Sequence, residues 1–295
     1  MTEWDTGIAG VRVRRVDTIS EALEGGSRVG PYSTARPGAL LRSVPGIGRF
    51  LVRDGNTIEY CAEGGADESA LESVLQGAAL GALIHQRGEL PLHATTIVSP
   101  DGRSAIALAG DSGAGKSTTA YQLILLGWSL LTDDLTRLTI QEGLACAWPG
   151  RSRLRLVSDA CERFGLDPAG LAAAPNWPGK YVLQLPCWRT PAPLLALVVL
   201  NKGGGPFAIE PVTGAAAGRL LAEQTYRPHY VAALGQQRRH FELTSGAAAS
   251  TAVFRCSGRS DVETMAESIA SATRGLTGTG PHENRAPTLD ERKTE

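Results

Sequence analysis

Lysine is nearly absent from this 295-residue chain: it occurs only as Lys116, Lys180, Lys202 and Lys293, and arginine supplies the rest of the 29 basic residues. Charge of one sign is lacking too. The 29 basic residues face 30 acidic ones, a net charge of −1, which removes the long-range field expected of a nucleic-acid binder or a protein drawn to anionic lipid. The five cysteines, Cys61, Cys146, Cys161, Cys187 and Cys256, form no Cys-x-x-Cys pair, so neither a zinc site nor a dithiol redox centre is indicated, and a reducing, cytoplasmic setting is expected. Apolar runs are short. The longest, Pro193 to Leu200, cannot cross a bilayer, and Met1 to Asp5 carries neither the basic nor the apolar region of an export signal. What remains is ordinary for a globular protein: 42% hydrophobic and 20% charged residues, in a chain long enough for about two domains.

Residues 1 to about 40 mix arginine, glycine and proline without a period, and are expected to form a mobile arm or a loosely attached edge. From Arg49 to Tyr60 two β-rich runs flank Asp54-Gly55-Asn56, a hairpin signal. Apolar residues at Leu71, Val74, Leu75, Ala78, Ala79, Ala82 and Leu83 predict an amphipathic helix over Glu68 to Gln86, capped by Gly88. Leu92 to Gly110 reads as two strands turning at Pro100-Asp101-Gly102. A turn centred near Asp101 sets His93 opposite Ala109. A helix through Leu126 follows, stopped by Gly127, then a strand over Ser129 to Thr132 that ends in Asp133 and Asp134. Further on, a hairpin turns at Gln141-Glu142-Gly143, a short helix starts at Ser158, and strands run from Lys180 to Gln184 and from Leu194 to Leu200. Helices are expected over Gly214 to Glu223 and Val262 to Ala272, and a polar, disordered tail over 276–295.

The chemistry concentrates in one stretch. Gly110-Asp111-Ser112-Gly113-Ala114-Gly115-Lys116-Ser117 matches G-x-x-x-x-G-K-[ST], after a predicted strand and at the start of a predicted helix. Its glycines let backbone N–H groups turn toward phosphate oxygens, and the helix N-terminus adds partial positive charge. Lys116, the first lysine of the chain, then reaches the β- and γ-phosphates, and the Ser117 hydroxyl takes a place on Mg²⁺. A right-handed crossover lays the Ser129–Thr132 strand parallel to the strand feeding the loop, which brings Asp133 and Asp134 beside the phosphates. Because adjacent strand residues face opposite ways, one carboxylate can face the metal and the other a nucleophile or a structural partner. His93, at the entry to the loop, can hydrogen-bond a carboxylate or phosphate, or be a satisfied core histidine. Val198 to Lys202 superficially resembles the guanine-reading motif of GTPases, but Gly204 stands where the base-reading aspartate is needed. Asn201 likewise stands where a Walker B strand ends in aspartate, which disfavours a motor ATPase or a GTPase.

GDSGAGKST, then GWSLLTDD, with LPLHATTIV ahead, resembles the catalytic domain of the HPr kinase/phosphorylase family over about Leu92 to Leu138. AWPGRSRLRLVSDACERFG, the Lys180 strand and TYRPHYVAALGQQRRHFELT resemble the stand-alone serine kinases of bacterial biosynthetic clusters, including lasso-peptide precursor kinases. The resemblance implies an α/β fold like the nucleotide domain of phosphoenolpyruvate carboxykinase and HPr kinase. It implies nucleotide contacts from Gly110, Asp111, Ser112, Gly113, Ala114, Gly115, Lys116, Ser117 and Thr118, metal held by Ser117 and Asp133, assistance from His93, and Asp134 as base toward an acceptor hydroxyl. The chain departs from the sugar-regulation enzymes at Thr118, where they commonly carry glutamate, and it lacks their arginine-and-glycine loop. The resemblance therefore leaves HPr recognition and the reverse phosphorylase reaction open. Lys180 is either a surface lysine at a strand start or a phosphate contact. Arg155, Arg227 and His240 lie in the matching blocks with no role assigned to any of them.

The expectation is thus a small α+β region over 1–87 and a P-loop kinase domain over 88–275. With ATP and Mg²⁺, the domain transfers a γ-phosphoryl group to a serine of a peptide or small protein, a lasso-peptide precursor being the most specific instance. No nucleic-acid or membrane partner is expected, and a homo-oligomer is left open. A non-catalytic ATP sensor and a small-metabolite kinase are the alternatives.

Overall fold

The structure, a computed structural model, describes residues 4–151, 153–174, 177–201, 203–274 and 276. It is a mixed α/β fold built on a six-, a nine- and a three-stranded sheet. The nine-stranded sheet carries the loop. Its central strand, Ala192–Leu200, runs parallel to Ala105–Ala109 on one side and to Ala252–Ser257 on the other. Covered on both faces, its C-terminal half is apolar at every position, as a fully buried strand requires. Ala105–Ala109 pairs antiparallel with Ala94–Val98, which pairs antiparallel with Ser129–Thr132. The Ser129–Thr132 strand therefore runs parallel to the loop-feeding strand, as expected, with one strand between them.

The register of the Ala94–Val98 and Ala105–Ala109 pair differs from expectation by one residue: Ala94, not His93, faces Ala109. The turn closes between Ser99 and Ser104, whose N–H and carbonyl bond at 2.8 Å, so it is centred between Asp101 and Gly102. His93 sits at a break between the Leu90–Leu92 and Ala94–Val98 strands, its N–H donating to the Gln224 carbonyl.

The N-terminal residues are not a loose arm. Arg12–Arg15, Ser27–Arg28, Ser33–Arg36 and Ala39–Val44 join the Gly48–Arg53 and Thr57–Ala62 hairpin in the six-stranded sheet. Ile8, Val13, Ala35 and Leu40 are buried with Phe50 and Ile58 against the helical segment that follows. Short, glycine-punctuated strands hide their alternation from a sequence reading, and burial here depends on partners supplied from afar, Tyr230 and Leu234 among them. The expected helix over Glu68 to Gln86 is α-helical over Glu68–Val74 and Leu80–Gln86, with a π-helical turn at Leu75–Ala79 between. Gly88 ends it in the left-handed region, at φ 67°. Of the tail expected over 276–295, Leu276 packs on the core, and 277–295 lie outside the described residues.

Candidate functional site

The Ala105–Ala109 strand passes into the Gly110–Ser117 loop and then into the Lys116–Leu125 helix. Gly110 has φ 125°, and a Cβ there would collide with the Leu200 carbonyl oxygen of the central strand, so only glycine lets the two strands run side by side into the loop. Gly113 and Gly115 also take positive φ, 81° and 99°, Gly115 as the residue before the helix. The Gly110 N–H donates to the Gln224 side chain at 3.0 Å, which ties the loop entry to the segment that also receives the His93 N–H.

Lys116 turns back over the loop. Its ammonium donates to the Gly110 carbonyl at 2.7 Å and the Asp111 carbonyl at 3.2 Å, and lies 3.3 Å from His93 Nε2. An ammonium has only donors, so Nε2 is the acceptor and His93 carries its proton on Nδ1, from which it donates to the Asp134 carbonyl at 3.2 Å. Burial, and then the Lys116 charge, lower the imidazole from its ordinary pKa and keep it neutral. Burial also lowers the Lys116 ammonium, against the pull of Asp134 and Asp133.

The Ser129–Thr132 strand stops before the carboxylates. Asp134 then takes φ 72°, a left-handed conformation that aspartate adopts more readily than most residues. That turn, rather than strand alternation, separates the two side chains. Asp133 points inward, 8% exposed, and accepts from Thr95 Oγ1 at 2.7 Å, Ser117 Oγ at 3.2 Å and the Arg155 N–H at 3.2 Å. Burial raises its carboxyl despite these donors. Asp134 opens to the cleft, pairs with Arg155 at 2.6 Å and lies 3.6 Å from His93 Nδ1. Burial alone would raise it, but the Arg155 and Lys116 charges overcome that and hold it below the ordinary carboxylate range.

The expected residues thus converge. His93, Ser112, Gly113, Gly115, Lys116, Ser117, Thr118, Asp133, Asp134 and Lys180 line one small pocket, with Arg155, Val157 and Trp177 completing it. Gly110, Asp111 and Ala114 belong to the loop without lining that pocket, Gly110 and Asp111 serving Lys116 through their carbonyls. Lys180 lies over the Trp177 ring, 4.7 Å from its centroid, and Arg155 lies 5.3 Å from the same ring. Thr95 and Arg155 were missed as site residues. Arg155 had a signal: in Arg151-Ser152-Arg153-Leu154-Arg155-Leu156 the arginines recur every second residue, and on the Arg153–Val157 strand Leu154 and Leu156 face the core while Arg153 and Arg155 face the cleft.

Hard oxygen donors, the Ser117 hydroxyl and the Asp133 carboxylate 3.2 Å apart, suit Mg²⁺ better than a softer metal. No cluster of three or more His, Cys, Asp or Glu able to hold a metal occurs among the described residues. No helix among the described residues is long and apolar enough to cross a membrane.

No family model matches the chain, and no curated protein matches it. A solved structure described as the Hpr(Ser) kinase/phosphatase from Coxiella burnetii aligns with 64% of this chain and 99% of its own, at 12% sequence identity and a TM-score of 0.34.

Proposed function

We propose that this protein is an ATP- and Mg²⁺-dependent kinase that transfers the γ-phosphoryl group to a serine hydroxyl of a peptide or small protein, with a lasso-peptide precursor as the most specific candidate. The observation that carries the reading is the meeting of the Gly110–Ser117 loop with two carboxylates in different environments, Asp133 bonded to Ser117 and Asp134 facing the cleft.

Phosphoryl transfer asks little covalent chemistry of a protein and much positioning. The loop N–H groups and Lys116 bind the phosphate oxygens. Ser117 and Asp133 would hold Mg²⁺, which when bound supplies charge neutralisation on the phosphates. Asp134, kept ionised by Arg155, accepts the proton of the attacking hydroxyl. Neutral His93 holds Lys116 and Asp134 at fixed separation, a contact to each. A pure ATP sensor has no need of a carboxylate aimed at an acceptor.

The test is a serine-peptide library with γ-labelled ATP. Labelled peptide is expected with the native chain and none with Lys116→Ala, which also binds ATP more weakly because the cation facing the β- and γ-phosphates is gone. Mg·ATP binding without transfer to any hydroxyl overturns the reading in favour of a sensor. Transfer to free hydroxy compounds alone overturns its peptide part.

A further inference from the structure

A second, larger cavity of about 660 Å³ opens from the far side of the carboxylates, sharing Asp133, Asp134, Arg155 and Trp177 with the phosphate pocket. Its size is that of a ligand-binding cleft. Its charge is unlike that of the chain as a whole: six arginines, Arg42, Arg151, Arg153, Arg155, Arg189 and Arg227, line it against three aspartates. Arg151 is engaged by Glu72 and Arg155 by Asp134, whereas Arg42, Arg153, Arg189 and Arg227 make no ion pair among the described residues.

A second observation points the same way. Among the described residues three buried side-chain atoms lack a hydrogen-bond partner: Arg42 Nε, Trp188 Nε1 and Arg227 Nε. All three side chains line this one cavity, and all three atoms are donors. A buried donor left without an acceptor is costly, and native proteins rarely keep one without use. The two arginines come from distant parts of the chain, Arg42 from the six-stranded sheet and Arg227 from the segment after the Gly214–Glu223 helix. Arg42 reaches Tyr230, and Arg227, inside the Tyr226–Tyr230 segment, rests over both rings. Arg227 holds φ 52°, a strained conformation for a long side chain and one of four such non-glycine positions among the described residues, Asp134 being another. Burial lowers the Arg42 guanidinium, and the neighbouring Arg227 adds to that against Tyr230, so two like charges face each other here.

We propose that this cleft is the acceptor subsite and that it binds a carboxylate carried by the acceptor, held between Arg42 and Arg227. The inference rests on the kinase reading and deepens it: the hydroxyl presented to Asp134 belongs to a chain with an acidic group nearby. Arginine forks match carboxylate geometry, and lysine, scarce in this protein, is absent from the lining.

The experiment uses the full chain and three synthetic peptides that share one serine in a neutral alanine-glycine background. The first carries a glutamate and an amidated end, the second a free C-terminal carboxylate and no acidic side chain, the third neither. The kcat/KM of one or both acid-bearing peptides is expected to exceed that of the neutral one by about 10- to 100-fold, the yield of a charge-assisted, bidentate contact. Arg42→Met and Arg227→Met should each bring that ratio close to one. Calorimetric titration of the same peptides without ATP reads the site independently of turnover, and the preference should appear there too. Equal handling of all three peptides, in turnover and in binding, overturns the inference while leaving the kinase standing. Preferential binding of the acidic peptides without phosphate transfer keeps the subsite and overturns the kinase. If Arg227→Met fails to fold, Arg42→Met decides. Loss of Mg·ATP affinity in Arg42→Met would assign the cleft to the nucleotide and overturn the inference.

Discussion

Asp133 and Asp134 are neighbours in the chain with opposite surroundings, and single substitutions separate their roles. Asparagine keeps the shape of either side chain and tolerates the positive φ of Asp134. Asp134→Asn should bind Mg·ATP normally while losing about 10²- to 10⁴-fold in transfer, the usual cost of removing general-base help. Asp133→Asn should weaken the metal-dependent part of ATP binding, because its carboxylate is bonded to Ser117. Calorimetry with and without Mg²⁺, together with a phosphopeptide assay, reads both effects. Normal transfer by Asp134→Asn with loss in Asp133→Asn would exchange the assignments, and full activity in both would end the carboxylate-base mechanism.

His93 offers a comparable test of a positioning residue. It accepts from Lys116 on one nitrogen and donates to the Asp134 carbonyl from the other. Removing it frees two groups that must face the same phosphoryl group. His93→Ala should therefore lower the turnover of the folded fraction well beyond any loss in Tm. A less stable variant with normal specific activity would make His93 a core histidine and nothing more.

At the scale of elements, the decisive irregularity is the π-helical turn at Leu75–Ala79. Gly77 and Gly81, one helical turn apart, make room for Tyr226: a Cβ on Gly81 would stand 2.7 Å from its Cδ1, and one on Gly77 would stand 3.1 Å from its hydroxyl. The ring has little room to yield, with the His93 ring 5.9 Å away on one side and the Arg227 guanidinium over its face. Gly81→Ala should cost about 1–3 kcal/mol through overpacking, read as a lower urea midpoint. It should also raise the acceptor KM without changing Mg·ATP affinity, since Tyr226 borders the larger cleft and not the phosphate pocket. An unchanged KM would separate the π turn from acceptor binding.

The apolar stripe of that segment was legible as a helix, because residues three and four apart share a face whether the backbone is α or π for one turn. The π turn was not, since nothing in the local pattern distinguishes one extra residue from a small shift of the stripe. The hairpin register failed for a related reason. A turn with a serine at either end closes one residue wider than its Pro-Asp-Gly centre suggests, and a slip of one is beyond what alternation detects in strands buried on both faces. The slip left the site intact because His93 is placed by Gln224 and Lys116 rather than by its cross-strand partner.

On the scale of the whole molecule, a buried histidine links the site to stability. His85 is 2% exposed, its Nε2 lies 2.9 Å from the Tyr226 carbonyl, and burial pushes its pKa down to about 4. In the unfolded chain an imidazole titrates near 6.5. Between pH 6.5 and 4 the unfolded state therefore binds the proton that the folded state refuses. The stability present above pH 6.5 falls as the pH drops through that window, by up to about 3 kcal/mol from this group. His93, His229 and His240 are lowered as well and act in the same direction. Urea midpoints measured from pH 7.5 to 4.5 should decline, and His85→Gln should flatten the decline. A pH-independent midpoint would show that His85 is solvated in the native protein.

The sequence by itself determined the strand, loop and helix around Lys116, the carboxylates that end the next strand, and the buried central strand, because those features rest on spacing and on the conformations that only glycine adopts freely. Tertiary structure decided the remainder. Arg42 and Arg227 lie far apart in sequence and carry no shared pattern, and only the packing of the six-stranded sheet against the Tyr226–Tyr230 segment brings them to one cavity. The separate environments of Asp133 and Asp134 were likewise set by a left-handed backbone and by donors from Thr95, Ser117 and Arg155, contacts whose partners lie 16 to 38 residues away. A local pattern records what a residue's neighbours in the chain permit. Burial and charge depend on neighbours in space, which the folded chain alone supplies.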